Sequence, residues 1–178
     1  MKRPNNKGCN MWRLRGFTIV ELMIVLIIVA ILASMAIPSF QSMIERRRLI
    51  GAAESVYSDL QFVRSEAVKQ SWDLTVTITP NDGLDWCLEV IKLVEEVEEV
   101  LLRTCGDPEL NIRMTNNAFS VTFRGLRGAP KETIIPGIEF ASPSGLELRV
   151  LIAPYIGRIR MCSPVIDGVG KVNGYPSC

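Results

Sequence analysis

The sequence RGFTIVE at residues 15–21 runs directly into the apolar stretch LMIVLIIVAILA at residues 22–33. Between residues 17 and 40, Glu21 is the only ionisable side chain. About 20 consecutive apolar residues are enough for a helix to cross the hydrocarbon core of a bilayer. This stretch therefore predicts a membrane-spanning helix that contains one carboxylate.

Glu21 is a functional candidate because of where it lies. Placing a charged carboxylate in the centre of a membrane costs about 2.5 to 3.5 kcal/mol unless it is paired. Cleavage of the chain between Gly16 and Phe17 would create an α-amino group four residues before Glu21. On a neighbouring subunit, that cation would neutralise the carboxylate in a low-dielectric environment. We therefore predict a role for Glu21 in subunit assembly.

The string GFTIVEL at residues 16–22, with a short basic leader before it and a long apolar run after it, resembles the type III signal of type IV pilins and pseudopilins. In that family a prepilin peptidase cuts after the glycine and methylates the new N-terminal phenylalanine. The resemblance implies cleavage after Gly16, methylation of Phe17, subunit registration by Glu21 and a helix bend at Pro38. An ordinary secretory signal, cleaved near residues 34–36, or a plain single-span anchor would leave Glu21 unexplained.

The leader also predicts the orientation of the chain. Its charged residues are all basic: Lys2, Arg3, Lys7, Arg13 and Arg15. By the positive-inside rule, the leader stays in the cytoplasm and the rest of the chain faces outward across the inner membrane. We expect four segments: a removed leader at 1–16, a transmembrane and assembly helix at 17–40, its amphipathic continuation at 41–70 and a β-rich periplasmic domain at 71–178.

Beyond the membrane segment, hydrophobic periodicity predicts the secondary structure. Apolar residues keep helical spacing at Leu49, Ala52, Ala53, Val56, Leu60, Val63 and Ala67, which predicts one helix from residue 17 to about residue 70. Strands are predicted at 74–79, 119–123, 146–152 and 157–162. Residues 89–103 fit a helix about as well as a strand, and we interpret them as a hairpin. The fold class is α+β, with a long helix packed on a mainly antiparallel sheet, as in pilins.

The cysteines agree with an oxidising compartment. Cys9 lies in the leader, which leaves Cys87, Cys105, Cys162 and Cys178. Four cysteines allow three pairings. Pairing neighbours along the chain, Cys87 with Cys105 and Cys162 with Cys178, needs the least loop closure and is our hypothesis. The absence of histidine and of a CxxC pair disfavours the rival interpretation, a zinc site.

The later part of the chain narrows the resemblance. The order of long helix and strands, with FRGLRG at residues 123–128 and GRIRMC at 157–162, resembles the GspH/FimT family. This family contains minor pilins of type IV pili and a minor pseudopilin of type II secretion. FimT-like minor pilins of naturally transformable bacteria bind DNA through a GRxR element. The resemblance implies DNA contacts at Gly157, Arg158 and Arg160, with Lys171 as an additional phosphate contact.

The charge distribution requires any anion site to be local. Without the leader the chain has a net charge of −4, with −7 in residues 71–116 and +3 in residues 117–178. Arg158 and Arg160 alternate with apolar residues, so in a strand both guanidinium groups leave one face, about 6.5 Å apart. Two fixed arginines at this spacing would form a phosphate clamp. The alternative is that they form ion pairs or line a subunit contact.

Three classes of function follow. The first is a minor pilin that initiates or caps a type IV pilus and presents Arg158 and Arg160 to double-stranded DNA. The second is a minor pseudopilin of the type II secretion system. The third, a membrane-anchored enzyme, is disfavoured because the sequence has no histidine, nucleophile elbow or metal cluster. We expect no cofactor and no metal, and the expected partners are other pilins or pseudopilins, the prepilin peptidase and the inner membrane.

Overall fold

The computed structural model describes residues 16–81, 83–94, 97–164 and 170–178. The predicted leader, with Cys9, lies outside the described residues except for Gly16. The chain divides into two compact units, one that ends at Phe40 and one that begins at Gln41. The helix α1, Ile19–Gln70, contributes to both units.

The part of α1 in the second unit buries one stripe of apolar side chains. The fully buried members are Leu49, Ala53, Val56, Leu60, Val63 and Ala67. This confirms the helical spacing read from the sequence. The helix ends where Ser71 takes a left-handed conformation with φ of 58°. Ser71 N–H donates to the carbonyl of Val68 and Trp72 N–H donates to the carbonyl of Ala67, so two terminal carbonyls are satisfied as in a Schellman motif.

The strands after α1 form two four-stranded antiparallel sheets in the described part of the chain. The first sheet has the order β3-β2-β1-β5 and the second has the order β4-β6-β7-β8. The strands are β1 Leu74–Thr79, β2 Cys87–Val94, β3 Val97–Cys105, β4 Arg113–Met114, β5 Phe119–Phe123, β6 Ile138–Ala141, β7 Glu147–Ile152 and β8 Ile159–Cys162. A short 3₁₀ helix, Pro108–Leu110, lies between β3 and β4.

One hydrophobic core joins the helix and both sheets. It contains the buried stripe of α1, Val76 and Phe123 from the first sheet, and Phe140 and Leu148 from the second. The ring of Trp86 packs edge-on against that of Phe140, with 5.3 Å between the ring centroids. The α+β fold with a long helix on antiparallel sheets is therefore confirmed, although the strands form two sheets instead of one.

Residues 89–103 form the hairpin that the sequence left open between helix and strand. Strands β2 and β3 pair antiparallel, with Cys87 opposite Cys105. The connection at residues 95–96 lies outside the described residues. Glutamates in this segment favour a helix by intrinsic propensity. The segment forms strands instead because β2 also pairs with β1 on its other side.

The structure has disulfides between Cys87 and Cys105 and between Cys162 and Cys178. These are the two pairs that proximity along the chain favours. The first closes the β2–β3 hairpin. The second ties β8 to the C-terminal segment. In addition, Ser163 N–H donates to the carbonyl of Pro176, and Cys178 N–H donates to the carbonyl of Ser163.

The C-terminal disulfide should contribute measurably to stability. Replacing Cys162 and Cys178 by alanine should lower the free energy of unfolding by about 3 kcal/mol, because closing a loop of about 15 residues restricts the unfolded chain by that amount. Chemical denaturation of the detergent-solubilised chain would measure it. Alkylation of the unreduced wild-type chain should find no free thiol at these positions, and a free Cys162 would contradict the pairing.

Candidate functional site

The first candidate site is the start of α1. Thr18 caps the helix: its Oγ1 accepts a hydrogen bond from the backbone N–H of Glu21 at 3.2 Å, and its carbonyl accepts from Leu22 N–H at 3.1 Å. Thr18 and Glu21 have the spacing of a capping box. Glu21 also places a negative charge in the first turn, where the helix dipole favours it. The capping role of Thr18 is readable from this spacing but is absent from the predictions above.

The carboxylate of Glu21 has no hydrogen-bond or ion-pair partner among the described residues. It lies on a helix whose large apolar side chains are exposed from Ile19 to Phe40. By length and composition α1 is able to span a membrane. An exposed apolar surface of this extent marks a contact with lipid or with another protein. Within the residues that the structure describes, this apolar surface is therefore uncovered and its one carboxylate is unpaired.

Gly16 and Phe17 precede the helix and are exposed. A Cβ added at Gly16 would meet no atom within 4 Å, so the described structure does not require glycine there. Pro38 lies inside α1, which is continuous through this position. Proline removes one backbone donor from the helix. The bend expected at Pro38 and the cleavage expected after Gly16 stay predictions.

The second candidate site is the turn from β7 to β8, which carries the two arginines. Arg158 and Arg160 are exposed, Ile159 between them is buried and Met161 is half-buried. Arg160 pairs with Leu151 across the strands, and the Arg158 carbonyl accepts from Ala153 N–H at 2.9 Å. The arginines therefore leave one face of this hairpin, as the alternation predicts.

Neither guanidinium group has an ion-pair or hydrogen-bond partner within residues 16–81, 83–94, 97–164 and 170–178. Both line a groove of about 710 Å³ between β8 and α1, together with Tyr57 and Gln61. Glu54 and Tyr175 line the same groove, and the Tyr175 hydroxyl donates a hydrogen bond to the Glu54 carboxylate at 3.0 Å. Burial and the neighbouring Glu54 carboxylate raise the pKa of Tyr175. The arginines are thus available to an anion from outside the described chain.

Gly157 positions this turn against the loop that follows β5. Its φ is 64°, in the left-handed region, and a Cβ there would collide with the backbone carbonyl of Gly128. Only glycine allows both the conformation and this close approach. The structure therefore gives Gly157 a positioning role beside Arg158, with its own backbone packed against another loop.

Arg64, on α1, holds the same two loops together and was not among the predicted site residues. Its Nε donates to the carbonyl of Gly128 at 3.3 Å and its Nη2 donates to the carbonyl of Ile156 at 3.1 Å. In the sequence, Arg64 appears only as a polar position between apolar ones. Both its acceptors are backbone carbonyls more than 60 residues away, which the sequence pattern does not reveal.

Lys171 lies apart from the arginine pair. Its backbone forms an isolated β-bridge with that of Glu147 at the beginning of β7. Arg160 instead pairs with Leu151, further along that strand. At strand spacing, this separates the two positions by about 13 Å. The structure therefore brings together Gly157, Arg158 and Arg160 but not Lys171.

Replacing Gly157 by alanine should lower the free energy of unfolding by about 1 to 3 kcal/mol, because the left-handed conformation is strained and the added Cβ meets the Gly128 carbonyl. Gly145→Ala is the matched control, since φ at Gly145 is 82° but no atom lies within 4 Å of the added Cβ. Denaturation of both variants should show the larger loss for Gly157→Ala. Equal losses would argue against the close contact.

Residues 13–37 match the family model described as prokaryotic N-terminal methylation motif, and residues 52–163 match the model described as type II transport protein GspH. Two curated proteins of Pseudomonas aeruginosa, each described as fimbrial protein, are 37% identical over 68 residues, which is 38% of this chain and 44% of theirs. The chain thus spans less than half the length of these relatives. No solved structure gives a significant match. With the GspH model covering more than half of its residues, this chain belongs to the family of type II transport protein GspH and is a type IV pilin-like protein.

Proposed function

We propose that this chain is a minor pilin that helps to initiate or cap a type IV pilus and binds double-stranded DNA through Arg158 and Arg160. The observation that carries the assembly role is the carboxylate of Glu21, which has no partner among the described residues and lies in an exposed apolar helix surface. A monomer in a membrane would keep this charge unpaired at a cost of about 2.5 to 3.5 kcal/mol. Association with a cation from a neighbouring subunit removes that cost.

Processing supplies such a cation. Cleavage after Gly16 leaves the α-amino group of Phe17 one residue before the helix cap at Thr18. A positive charge at a helix N-terminus is opposed by the helix dipole. The amino group therefore also gains from a carboxylate on a neighbouring subunit. The exposed, non-helical position of Gly16 and Phe17 supports access by the prepilin peptidase.

The proposed topology follows from the charges of the leader. Residues 1–16 carry five basic side chains and no acid, so they remain cytoplasmic while the helix from Phe17 to Phe40 spans the inner membrane. The domain of antiparallel sheets is then periplasmic, where its two disulfides form and persist. On assembly, the processed chain enters the pilus.

DNA binding is supported by the position of the two arginines. Both are exposed, both line the groove beside α1, and neither forms an ion pair in the described part of the chain. The alternative of internal ion pairs for these two residues finds no support among the described contacts. Such binding would be independent of DNA sequence, because it relies on phosphates.

A second candidate function is a minor pseudopilin of the type II secretion system. The description of the matching family, type II transport protein GspH, favours it. In that setting Glu21 has the same role in assembly, and Arg158 and Arg160 line a subunit contact instead of a DNA surface. The two functions differ in whether the purified chain binds DNA.

Glu21→Ala should leave processing intact but reduce incorporation into filaments by at least about tenfold, since the partner's amino group would stay unpaired at a cost similar to that of an unpaired membrane charge. Cells with the complete assembly machinery would be sheared, and the filament and membrane fractions compared by immunoblot. Gly16→Ala is the control that should block cleavage itself. Normal incorporation of Glu21→Ala would show that the carboxylate is dispensable.

Arg158→Gln/Arg160→Gln should abolish or strongly weaken DNA binding by the full chain in detergent. Binding to a double-stranded fragment would be measured by fluorescence anisotropy at about 50 and 200 mM salt. Losing two phosphate contacts should reduce the slope of log affinity against log salt by about 1.8.

Arg47→Gln/Arg48→Gln is the matched control, because it removes the same charge from exposed arginines on α1. Equal weakening in both double variants would indicate a general charge effect. No wild-type binding at low salt would reject the DNA role and favour the secretion pseudopilus.

A further inference from the structure

Two turns beside the C-terminal part of α1 present large apolar side chains to solvent. Leu126 is 89% exposed in the turn after β5, and Tyr155 and Ile156 are 78% and 61% exposed in the turn between β7 and β8. Arg64 bonds to carbonyls in both turns, so the two apolar groups are neighbours. Single exposed apolar residues are common, but a cluster of this kind marks an interaction surface.

The turn that carries Leu126 is held rigidly. Gly128 N–H donates to the Arg124 carbonyl at 2.8 Å, and Arg124 N–H donates to the Ala129 carbonyl at 2.9 Å. Asp73 accepts from Gly125 N–H at 2.9 Å and pairs with Lys131 at 2.8 Å. The hydrogen bonds from Lys131 and from Gly125 N–H hold the pKa of Asp73 below its usual range. A pre-ordered surface loses little entropy on binding.

Arginines surround these apolar side chains. Arg64 and Arg127 line one cavity of about 470 Å³, and Arg124 is exposed on the same turn as Leu126. We define the basic apolar patch as Arg64, Arg124, Leu126, Arg127, Tyr155 and Ile156. A phosphate would contact only the arginines of this patch. A protein surface with both acidic and apolar side chains would contact its arginines and its apolar side chains.

The same chain carries a surface of the complementary kind on β3. This strand is an edge of the first sheet among the described strands, and Glu98, Glu99, Val100 and Leu101 are all exposed on it. We call these four residues the acidic edge. Arg103, on the same strand, is already paired with Glu89 at 3.1 Å. Lys92 lies opposite Glu99 on β2, but its ammonium group lies over the ring of Trp72 and forms no ion pair with Glu99 among the described contacts. An edge strand also offers unpaired backbone groups to a partner.

We propose that the acidic edge of one copy docks on the basic apolar patch of a second copy. The glutamates of the acidic edge are complementary to the arginines of the patch, and each surface also offers exposed apolar side chains. Both surfaces lie on the unit that begins at Gln41. Because the two surfaces differ, the contact is heterologous. One copy of a pair keeps its patch free and the other keeps its acidic edge free, which allows a row of subunits. The inference rests on the proposed assembly function for its setting but does not involve Glu21, Arg158 or Arg160.

Charge reversal tests the pairing directly. Sedimentation velocity of the full chain in detergent, at low salt, should show self-association for the wild type. Glu98→Lys/Glu99→Lys and Arg124→Glu/Arg127→Glu should each weaken it on the order of 100-fold, because like charges then face each other. Arg47→Glu/Arg48→Glu reverses the same amount of charge outside both surfaces and should have no such effect.

Mixing the two reversed variants distinguishes this contact from general electrostatics. Two contacts are then complementary: the acidic edge of the arginine variant with the patch of the glutamate variant, and the two reversed surfaces with each other. The mixture should therefore regain the association that each variant alone has lost. The quadruple variant, with both surfaces reversed, should associate with itself again.

Leu126→Ser provides an independent arm, because this exposed side chain contributes little to the fold. It should leave the melting temperature unchanged while weakening self-association about tenfold, as expected for an apolar residue at the centre of a contact. A monomeric wild type at low salt, undiminished association of either double variant alone, or no complex on mixing the two would each overturn the proposal. So would a wild type that binds DNA through Arg124 and Arg127 without self-association. A failure of Glu21→Ala to affect assembly would bear only on the proposed function.

Discussion

The structure depends on the burial of one apolar stripe of α1. Two four-stranded sheets in the described chain share this stripe as the centre of a single core, so neither sheet is packed without the helix. Full burial of each large apolar side chain contributes about 1.5 to 3 kcal/mol. The stripe also fixes which helix positions lie at the margins. Arg64 and Tyr57 lie beside it. For that reason Arg64 reaches one turn from each sheet, and Tyr57 lines the groove beside β8.

A close backbone contact then places the second functional region. Gly157 packs against the carbonyl of Gly128, and Arg64 bonds to both turns, so loops from different sheets form one surface. The arginines of β8 and the apolar tips of the two turns are presented side by side as a consequence. This surface combines two arginines, Arg158 and Arg160, which suit a phosphate, with a cluster of exposed apolar side chains, which suits a protein. The two proposals therefore assign different ligands to neighbouring residues.

The N-terminal part of α1, from Ile19 to Phe40, exposes its large apolar side chains within the part of the chain that the structure describes. Thr18 caps only its backbone. This part of α1 is therefore a regular, capped helix whose apolar side chains are not buried in the described structure. In the function proposed above, a membrane and then other subunits would supply its remaining requirements, an apolar environment and a partner for one carboxylate. This division matches the membership of the chain in a pilin-like family.

The sequence by itself determined the long helix, its buried stripe, the strands at β1, β5, β7 and β8, and the pairing of neighbouring cysteines, because these features depend on local periodicity and short loop closure. Strand β4, with two residues, was too short for its alternation to be read, and the four-residue strand β6 was also not predicted. Only the tertiary structure decided that residues 89–103 form a hairpin, that the strands form two sheets, and that Arg64 joins two loops. Each of these depends on partners distant in sequence, and a local pattern carries no record of which distant groups will meet.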